Sequence, residues 1–413
     1  MSEQHFLKPT GLTRRTFIRT ASLSALGALS FPALSPLLAQ EAFELPFANG
    51  ERKLVKFPQK RPLILLTTRP PQLETPFSVF NDGLITPNDA FFVRYHLSQV
   101  PTSIDLEKFT VTVKGKVNTP LTLSLADLKK FDPVELVAVN QCSGNSRGFS
   151  KPRVGGGQLG NGAMGNAKWK GARLKDVLAK AGVAAGAKQV TFNGLDTPPV
   201  EKIPDFVKAL EMDQALDEDV LLAYEMNGAD LPMLNGYPLR LIVPGYYGTY
   251  WVKHLSEITV VEEPLKNFWM ETAYRIPDNA CGCVEAGATP KSTRPIGRFN
   301  VRSFITSVGE GAKISAAKTA SLRGIAFDGG YGITEVLFSA DGGKNWRETR
   351  LTKDLGKYSF REWTIDWKPA HPGSYDLQVK ATNRIGQSQP AEALWNPPGY
   401  MRNVVESVKV TAT

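Results

Sequence analysis

The chain has 413 residues, 42% hydrophobic, 22% charged and 9% aromatic, a balance that excludes a disordered or collagen-like chain and leaves room for two or three domains. Its formal charge is +9, yet lysines and arginines are scattered without a long run, so a nucleic-acid-binding tract is not indicated. A basic balance suits an anionic substrate or an acidic partner.

Residues 1–39 differ from the rest. Thr13-Arg14-Arg15-Thr16-Phe17-Ile18 precedes an apolar stretch from Ala21 to Leu38 that Gly27 and Pro32 interrupt. The stretch is too short and broken for a membrane span, and no later segment is long and apolar enough for one. It reads as a cleavable twin-arginine signal ending at Ala39, which would deliver an already folded, soluble protein to the periplasm. An ordinary signal with a chance Arg-Arg pair is the alternative.

Residues 40–86 carry Pro46, Pro58, Pro62, Pro70, Pro71 and Pro76, and read as an extended arm lying over another surface. Residues 87–287 mix short apolar runs with helix-like segments, Ser124 to Lys130 and Leu174 to Ala181, the texture of an α+β domain. As a strand, Phe91 to His96 would put Arg94 and His96 on one face, both able to donate to a phosphate or an oxyanion. The apolar run Val134 to Val139 predicts a strand, and Asn140-Gln141-Cys142-Ser143-Gly144-Asn145-Ser146-Arg147 then places a thiol on the loop at its end. A lone cysteine is most often a small buried hydrophobe, but here the neighbours are polar and an arginine five residues on can hold an anion.

Glycine is dense from Cys142 to Gly171, which predicts backbone wrapped closely around something; a flexible surface loop is the blander reading. Leu239 to Trp251 followed by Lys253 reads as a strand, a glycine turn and a cation, a plausible anion cradle. Cys281-Gly282-Cys283 could close a small disulfide or keep two thiols, and both readings stay open. The histidines His5, His96, His254 and His371 lack metal-ligand spacing, and there is no C-x-x-C pair, which argues against zinc.

Residues 288–413 turn to short alternating strands: Phe299 to Ile305, Leu322 to Ala326, Ile333 to Ser339, Trp363 to Trp367 and Tyr375 to Ala381. Asp341-Gly342-Gly343 and His371-Pro372-Gly373 mark turns, the second read as a hairpin, and an immunoglobulin-like β-sandwich is the natural architecture.

Five motifs carry a resemblance: F-F-V-R-Y-H at 91–96, Q-C-S-G-N-S-R at 141–147, G-N-G-A-M-G-N-A-K-W-K-G-A-R-L at 160–174, N-G-Y-P-L-R-L-I-V-P-G-Y-Y-G at 235–248 and D-G-G-K-N-W at 341–346. In this order and spacing, over about residues 80–410, the chain resembles the sulfite oxidase family. The resemblance implies a molybdopterin-binding catalytic domain at 87–287 and a dimerisation-type sandwich at 288–413. It also implies one molybdenum held by one molybdopterin, with Cys142 as the protein's thiolate ligand. Arg94, Arg147 and Tyr274 match positions around the substrate oxyanion, while Arg94, His96, Asp196, Arg240 and Lys253 match positions that grip the pterin and its phosphate.

The chain departs from the animal enzymes in three places. Asn235 stands where they have a histidine in the pterin site, Leu159 where they have a tryptophan near the substrate, and Tyr331 where they have a further arginine. Neither a haem domain nor C-x-x-C-H is recognisable, so the expectation is molybdenum without haem. The implied activity is oxidation of sulfite to sulfate, with electrons leaving singly to a periplasmic cytochrome c or a haem c subunit; a homodimer is the other assembly that stays open. A related molybdoenzyme acting on another sulfur compound or oxyanion, and a non-catalytic periplasmic oxyanion-binding protein, are the rivals. Arg147 argues against a sulfane substrate.

Overall fold

A computed structural model describes residues 42–413; the signal read at residues 1–39 lies outside the described residues. The expected arm is in fact a folded sheet. Strands Ala42–Glu44, Glu51–Val55, Leu63–Thr68, Pro71–Glu74 and Val93–Arg94 follow one another as an antiparallel meander. The prolines that suggested an unpaired segment sit in its connections or, as Pro71, at the start of a strand, where a missing N–H costs least. Leu63, Leu73, Val93 and Tyr95 form a small core of its own. Only Val93–Arg94 of the Phe91–His96 run is paired as a strand.

The catalytic region is built on two sheets. In the first, Lys208–Glu211, Gln189–Gly194, Leu255–Val261, Thr110–Gly115 and Leu121–Ser124 lie side by side, with Leu255–Val261 parallel to Thr110–Gly115. In the second, Pro133–Gln141 pairs along its whole length with Met164–Arg173, which pairs in turn with Leu221–Met226. Both expected helices form. Leu174–Ala181 buries Leu174, Val177, Leu178 and Ala181, a single stripe at helical spacing, and stops at Gly182 in the left-handed region. The other is shorter than expected, Leu125–Leu128, and Ser124 starts it with a reciprocal capping box to Asp127.

The last region is the expected sandwich. One sheet orders Arg302–Ile305, Ala320–Phe327, Arg361–Trp367 and Arg350–Leu351; the other orders Ala312–Ile314, Glu406–Ala412, Gly373–Asn383, Ile333–Ser339 and Arg347–Glu348. Asp341-Gly342-Gly343 closes a hairpin, with both glycines at positive φ. His371-Pro372-Gly373 does not: it carries the chain from Arg361–Trp367 in one sheet to Gly373–Asn383 in the other, so it is a crossover between layers. A turn signal marks a reversal of direction but says nothing of which sheet the next strand joins.

The sandwich is fused to the catalytic region. Phe304, Phe327 and Phe360 belong to the main core with Trp169 and Trp251, and fully buried Arg302 reaches out of the sandwich to Ser146 Oγ at 2.9 Å while pairing with Glu406 at 2.9 Å. Among the described residues no helix is long and apolar enough to cross a membrane.

Candidate active site

Pro133–Gln141 ends where its partner's ladder ends, and the next residue is Cys142. Its N–H donates to the Ala163 carbonyl at 2.9 Å, and its own carbonyl accepts from Asn145 N at 3.0 Å, so the thiol projects from a hydrogen-bonded turn. Cys142 is half-buried and is the one free cysteine among the described residues, because Cys281 and Cys283 are joined as a disulfide. Its side chain opens into a cavity shared with Arg94, His96, Asn235, Arg240, Lys253 and Tyr274. Seven of the nine residues singled out from the sequence therefore meet in one place; Arg147 and Asp196 do not line it.

Positive charge dominates this cavity. Arg240 is 3% exposed, donates to the carbonyls of Asn235 at 2.8 Å and Trp251 at 3.4 Å, and lies over the Trp169 ring at 5.0 Å. Burial pulls it down to about 9. Lys253 donates to the Arg94 carbonyl at 2.8 Å, and burial, with Arg240 and Arg94 nearby, lowers its pKa. Burial alone would lower Arg94 too, yet Tyr274, Cys142 and Tyr400 outweigh it and hold the guanidinium above its ordinary value. Asp196 is buried near Lys253 and is raised by that burial, with Lys253 opposing.

Lys60 was not foreseen. It comes from the proline-rich sheet, 2% exposed, and donates to Asn88 O, Phe91 O and Asn235 Oδ1, its pKa lowered by burial to about 7. Asn235 is thus held from two sides, since its Nδ2 donates to Phe92 O at 3.1 Å. These cations are satisfied by carbonyl oxygens rather than carboxylates, an arrangement that is costly unless an anion occupies the cavity. Asn140 Oδ1, Ser143 Oγ, Thr249 Oγ1 and Arg240 Nε, all on residues lining it, are buried with no hydrogen-bond partner. Orphaned donors and acceptors of this kind are the imprint of a polar ligand.

On the opposite wall, His96 Nε2 and Tyr274 Oη are hydrogen bonded, with the imidazole stacked on Phe206 at 3.6 Å and met edge-on by Trp269. Tyr274 has a φ of 60°, and its ring stacks on Tyr400 at 5.4 Å. Arg147 sits over the other ring of this pair, 4.9 Å from the Tyr400 centroid, and its Nε donates to Pro398 O at 2.9 Å. It is therefore one ring removed from the cavity. Of the departures, Leu159 packs into the main core and Tyr331 is 40% exposed; neither lines the cavity.

Several of the dense glycines pack against protein. A Cβ on Gly144 would meet the Arg147 guanidinium at 2.8 Å, one on Gly156 the same group at 2.8 Å, and one on Gly162 the Thr75 carbonyl at 2.0 Å. The chain packs this tightly to hold Arg147 and to seat the loop on Pro71–Glu74, where Glu74 accepts from Gly160 N and Gly162 N. His254 is a core histidine bonded to Tyr95 and Tyr237.

Among the described residues no group of three or more His, Cys, Asp or Glu side chains could hold a metal. A metal on Cys142 must then draw its remaining ligands from an organic cofactor or water, and the cationic, orphan-lined cavity beside the thiol fits a phosphate-bearing one. Residues 96–269 match the family model described as an oxidoreductase molybdopterin binding domain, and residues 293–413 that of a Mo-co oxidoreductase dimerisation domain. The chain is 32% identical over 381 residues to the sulfite oxidase of Arabidopsis thaliana, covering 86% of this chain and 96% of that one. The chain belongs to the sulfite oxidase family. It is also 33% identical over 371 residues to the mitochondrial sulfite oxidase of Mus musculus, covering 86% of this chain but 66% of that protein. The sulfane dehydrogenase SoxCD of Paracoccus pantotrophus shares the fold, with a TM-score of 0.70, 24% identity and 83% and 84% of the two chains covered. As a sulfite oxidase-type enzyme the chain is a molybdopterin oxidoreductase, and the residues around Cys142 suit that cofactor.

Proposed function

We propose that this enzyme oxidises sulfite to sulfate at a molybdenum–molybdopterin centre in the Cys142 cavity and passes the electrons to a separate cytochrome c in the periplasm. The observation that carries the site is the free Cys142 thiol facing buried cations whose hydrogen bonds go to carbonyl oxygens. When bound, the cofactor supplies two-electron oxygen-atom transfer; the protein supplies binding, orientation and charge. Cys142 is the thiolate ligand. Arg240, Lys253, His96, Asn235 and Asp196 hold the pterin and its phosphate, and Lys60 fixes Asn235.

Arg94 and Tyr274 receive the substrate oxyanion. Burial pushes the Tyr274 phenol well up, and burial with the charges of Arg94, Lys253 and Lys208 pushes His96 well below its ordinary value. Both are then neutral at pH 7, and with the His96 proton on Nε2 that N–H donates to Tyr274 Oη and leaves the phenol proton for the oxyanion. Arg147, behind Tyr400, adds positive charge to the same side and draws a dianion inward.

The Arg14-Arg15 signal supports export, and the Cys281–Cys283 disulfide suits an oxidising compartment. The matched dimerisation domain supports a homodimer. The basic chain would meet an acidic electron carrier favourably. Molybdenum analysis on protein exported by its own signal, paired with sulfite-dependent reduction of cytochrome c, tests the reading. About one metal per chain with reduction supports it; turnover only with another sulfur donor would overturn it.

A further inference from the structure

The disulfide has no part in the site described above, yet it hangs from it. Tyr274 is followed at once by the strand Arg275–Pro277 and then by the loop carrying Cys281 and Cys283. Asn279 pins that loop to itself through Cys283 O at 2.8 Å and Cys283 N at 3.2 Å, and Val284 N donates to Trp395 O at 3.0 Å. Trp395 begins a strap, residues 395–403, that runs back to the active site. Along it Pro398 O accepts from Arg147, Tyr400 stacks on Tyr274, and Met401 N donates to Ser143 O at 2.9 Å, beside Cys142. The strap is thus tied at one end to the disulfide loop and at the other to the residues that would receive the anion.

A cross-link spanning so few residues removes little entropy from the unfolded chain, so stability is a weak reason for it. Its exposure is the more telling fact. Cys281 is exposed and shares a second cavity, distinct from the first, with Ile276, Asn396, Tyr400, Arg294 and Arg402. Tyr400 is the wall between this cavity and Tyr274. Arg294 and Arg402 line the same cavity, paired with Asp278 at 3.6 Å and Glu406 at 3.7 Å, and give a thiolate a polar approach to Cys281.

We propose that Cys281–Cys283 is a thiol-exchange site whose redox state sets how firmly the strap holds Tyr400 and Arg147 against the active site. Its reaction partner is a dithiol reductant. One thiolate of the dithiol attacks Cys281 Sγ, the Sγ–Sγ bond breaks, and the electron pair leaves on Cys283, which takes up a proton. The second thiol then displaces Cys281 as a thiol. The dithiol ends as a disulfide, and the protein has gained two electrons and two protons. With the cross-link open, the Val284–Trp395 tie loosens, the strap moves more freely, and anion capture weakens while the chemistry at the metal is spared. This effect on capture rests on the assignment of the cavity to sulfite.

The test uses the full-length metal-loaded enzyme, oxidised, then reduced with dithiothreitol, then reoxidised, with thiol labelling to count opened cysteines. Two readouts are taken in each state: hydrogen–deuterium exchange of residues 394–403, and KM and kcat for sulfite. Reduction is expected to expose two thiols, to speed exchange in the strap and to raise KM by on the order of tenfold, the size of one charge-assisted contact. The kcat is expected to stay within about twofold, and reoxidation to restore KM. A Cys281→Ser/Cys283→Ser double variant should sit at the raised KM and ignore dithiothreitol, which separates this cross-link from any effect of the reagent at the metal. Two opened thiols with unchanged exchange and unchanged KM would overturn the proposal, as would a disulfide that resists dithiothreitol. Faster strap exchange in an enzyme that does not oxidise sulfite would uphold the switch and sink the sulfite assignment instead.

Discussion

A thiol at the end of a strand can fill space or bind a metal, and what distinguishes Cys142 is the company it keeps. Its cavity partners include two arginines, a lysine, a histidine and a tyrosine alongside apolar residues. Cys142→Ser keeps the shape and removes the soft ligand, so turnover should fall by more than about 100-fold, beyond what loss of an outer-shell partner costs; elemental analysis of the variant shows whether metal is lost with it. Arg147→Gln removes a charge behind Tyr400 without touching a metal ligand, and should raise KM for sulfite about tenfold with a smaller change in kcat. An unchanged KM in steady-state assays would remove Arg147 from the anion's reach. The buried lysines also predict a pH dependence. Lys60 and Lys208 bind their protons with pKa values of about 7 in the folded chain, against 10.5 for an ordinary lysine, and burial is the first cause of both shifts. Between pH 7 and 10.5 the unfolded state holds more protons, so folding stability rises with pH through that window, by at most about 1.4 kcal/mol per pH unit for each lysine. Calorimetry of the metal-free protein should show Tm climbing from pH 7 to 10; a falling curve would mean that these lysines have anionic partners.

Among the elements, the glycine-rich loop shows where physical reading of a sequence succeeds and where it stops. Glycine density correctly announced close backbone approach, but not what was approached, because Thr75 and Arg147 reach the loop only through tertiary pairing. Gly162→Ala would drive a Cβ to 2.0 Å from the Thr75 carbonyl and lift the loop from its seat on Pro71–Glu74. A loss of about 2 kcal/mol or more in denaturant unfolding is expected, with Arg147-dependent anion capture weakened alongside. The strand Val134 to Val139, the helix Leu174 to Ala181 and the strand Ile333 to Ser339 were legible because each is a local periodic pattern. The sheet at 42–94 was not, since its short strands are punctuated by proline and its pairing lies in turns rather than in periodicity. The same limit hid Lys60 and Tyr400: each holds a residue of the cavity, Asn235 or Tyr274, from a segment whose local sequence carries no chemical signature.

At the scale of the molecule, one buried arginine joins the two halves. Arg302 lies in the sandwich, is fully buried, pairs with Glu406 and donates to Ser146, whose left-handed backbone, with a φ of 70°, turns the chain into Arg147. Replacing it by alanine leaves Glu406 only Arg402, at 3.7 Å, and frees Ser146, and should cost about 3 kcal/mol, whereas Ser146→Ala, which leaves the ion pair intact, should cost about 1 kcal/mol. Equal losses in chemical denaturation would show that the pair contributes nothing beyond the hydroxyl contact. The order of the fold, catalytic region then sandwich, could be read from the shift in strand texture near residue 288, but this fusion could not, because arginine in a strand looks the same whether it faces solvent or another domain. The strap at 395–403 brings a further consequence for how the enzyme is made. Tyr400, Pro398 and Met401 are translated after every residue that lines the cavity, so Arg147 gains its carbonyl and its ring only once the whole lining has been made. The packing behind Tyr274 is therefore completed by the last segment of the chain before its closing strand, Glu406–Ala412.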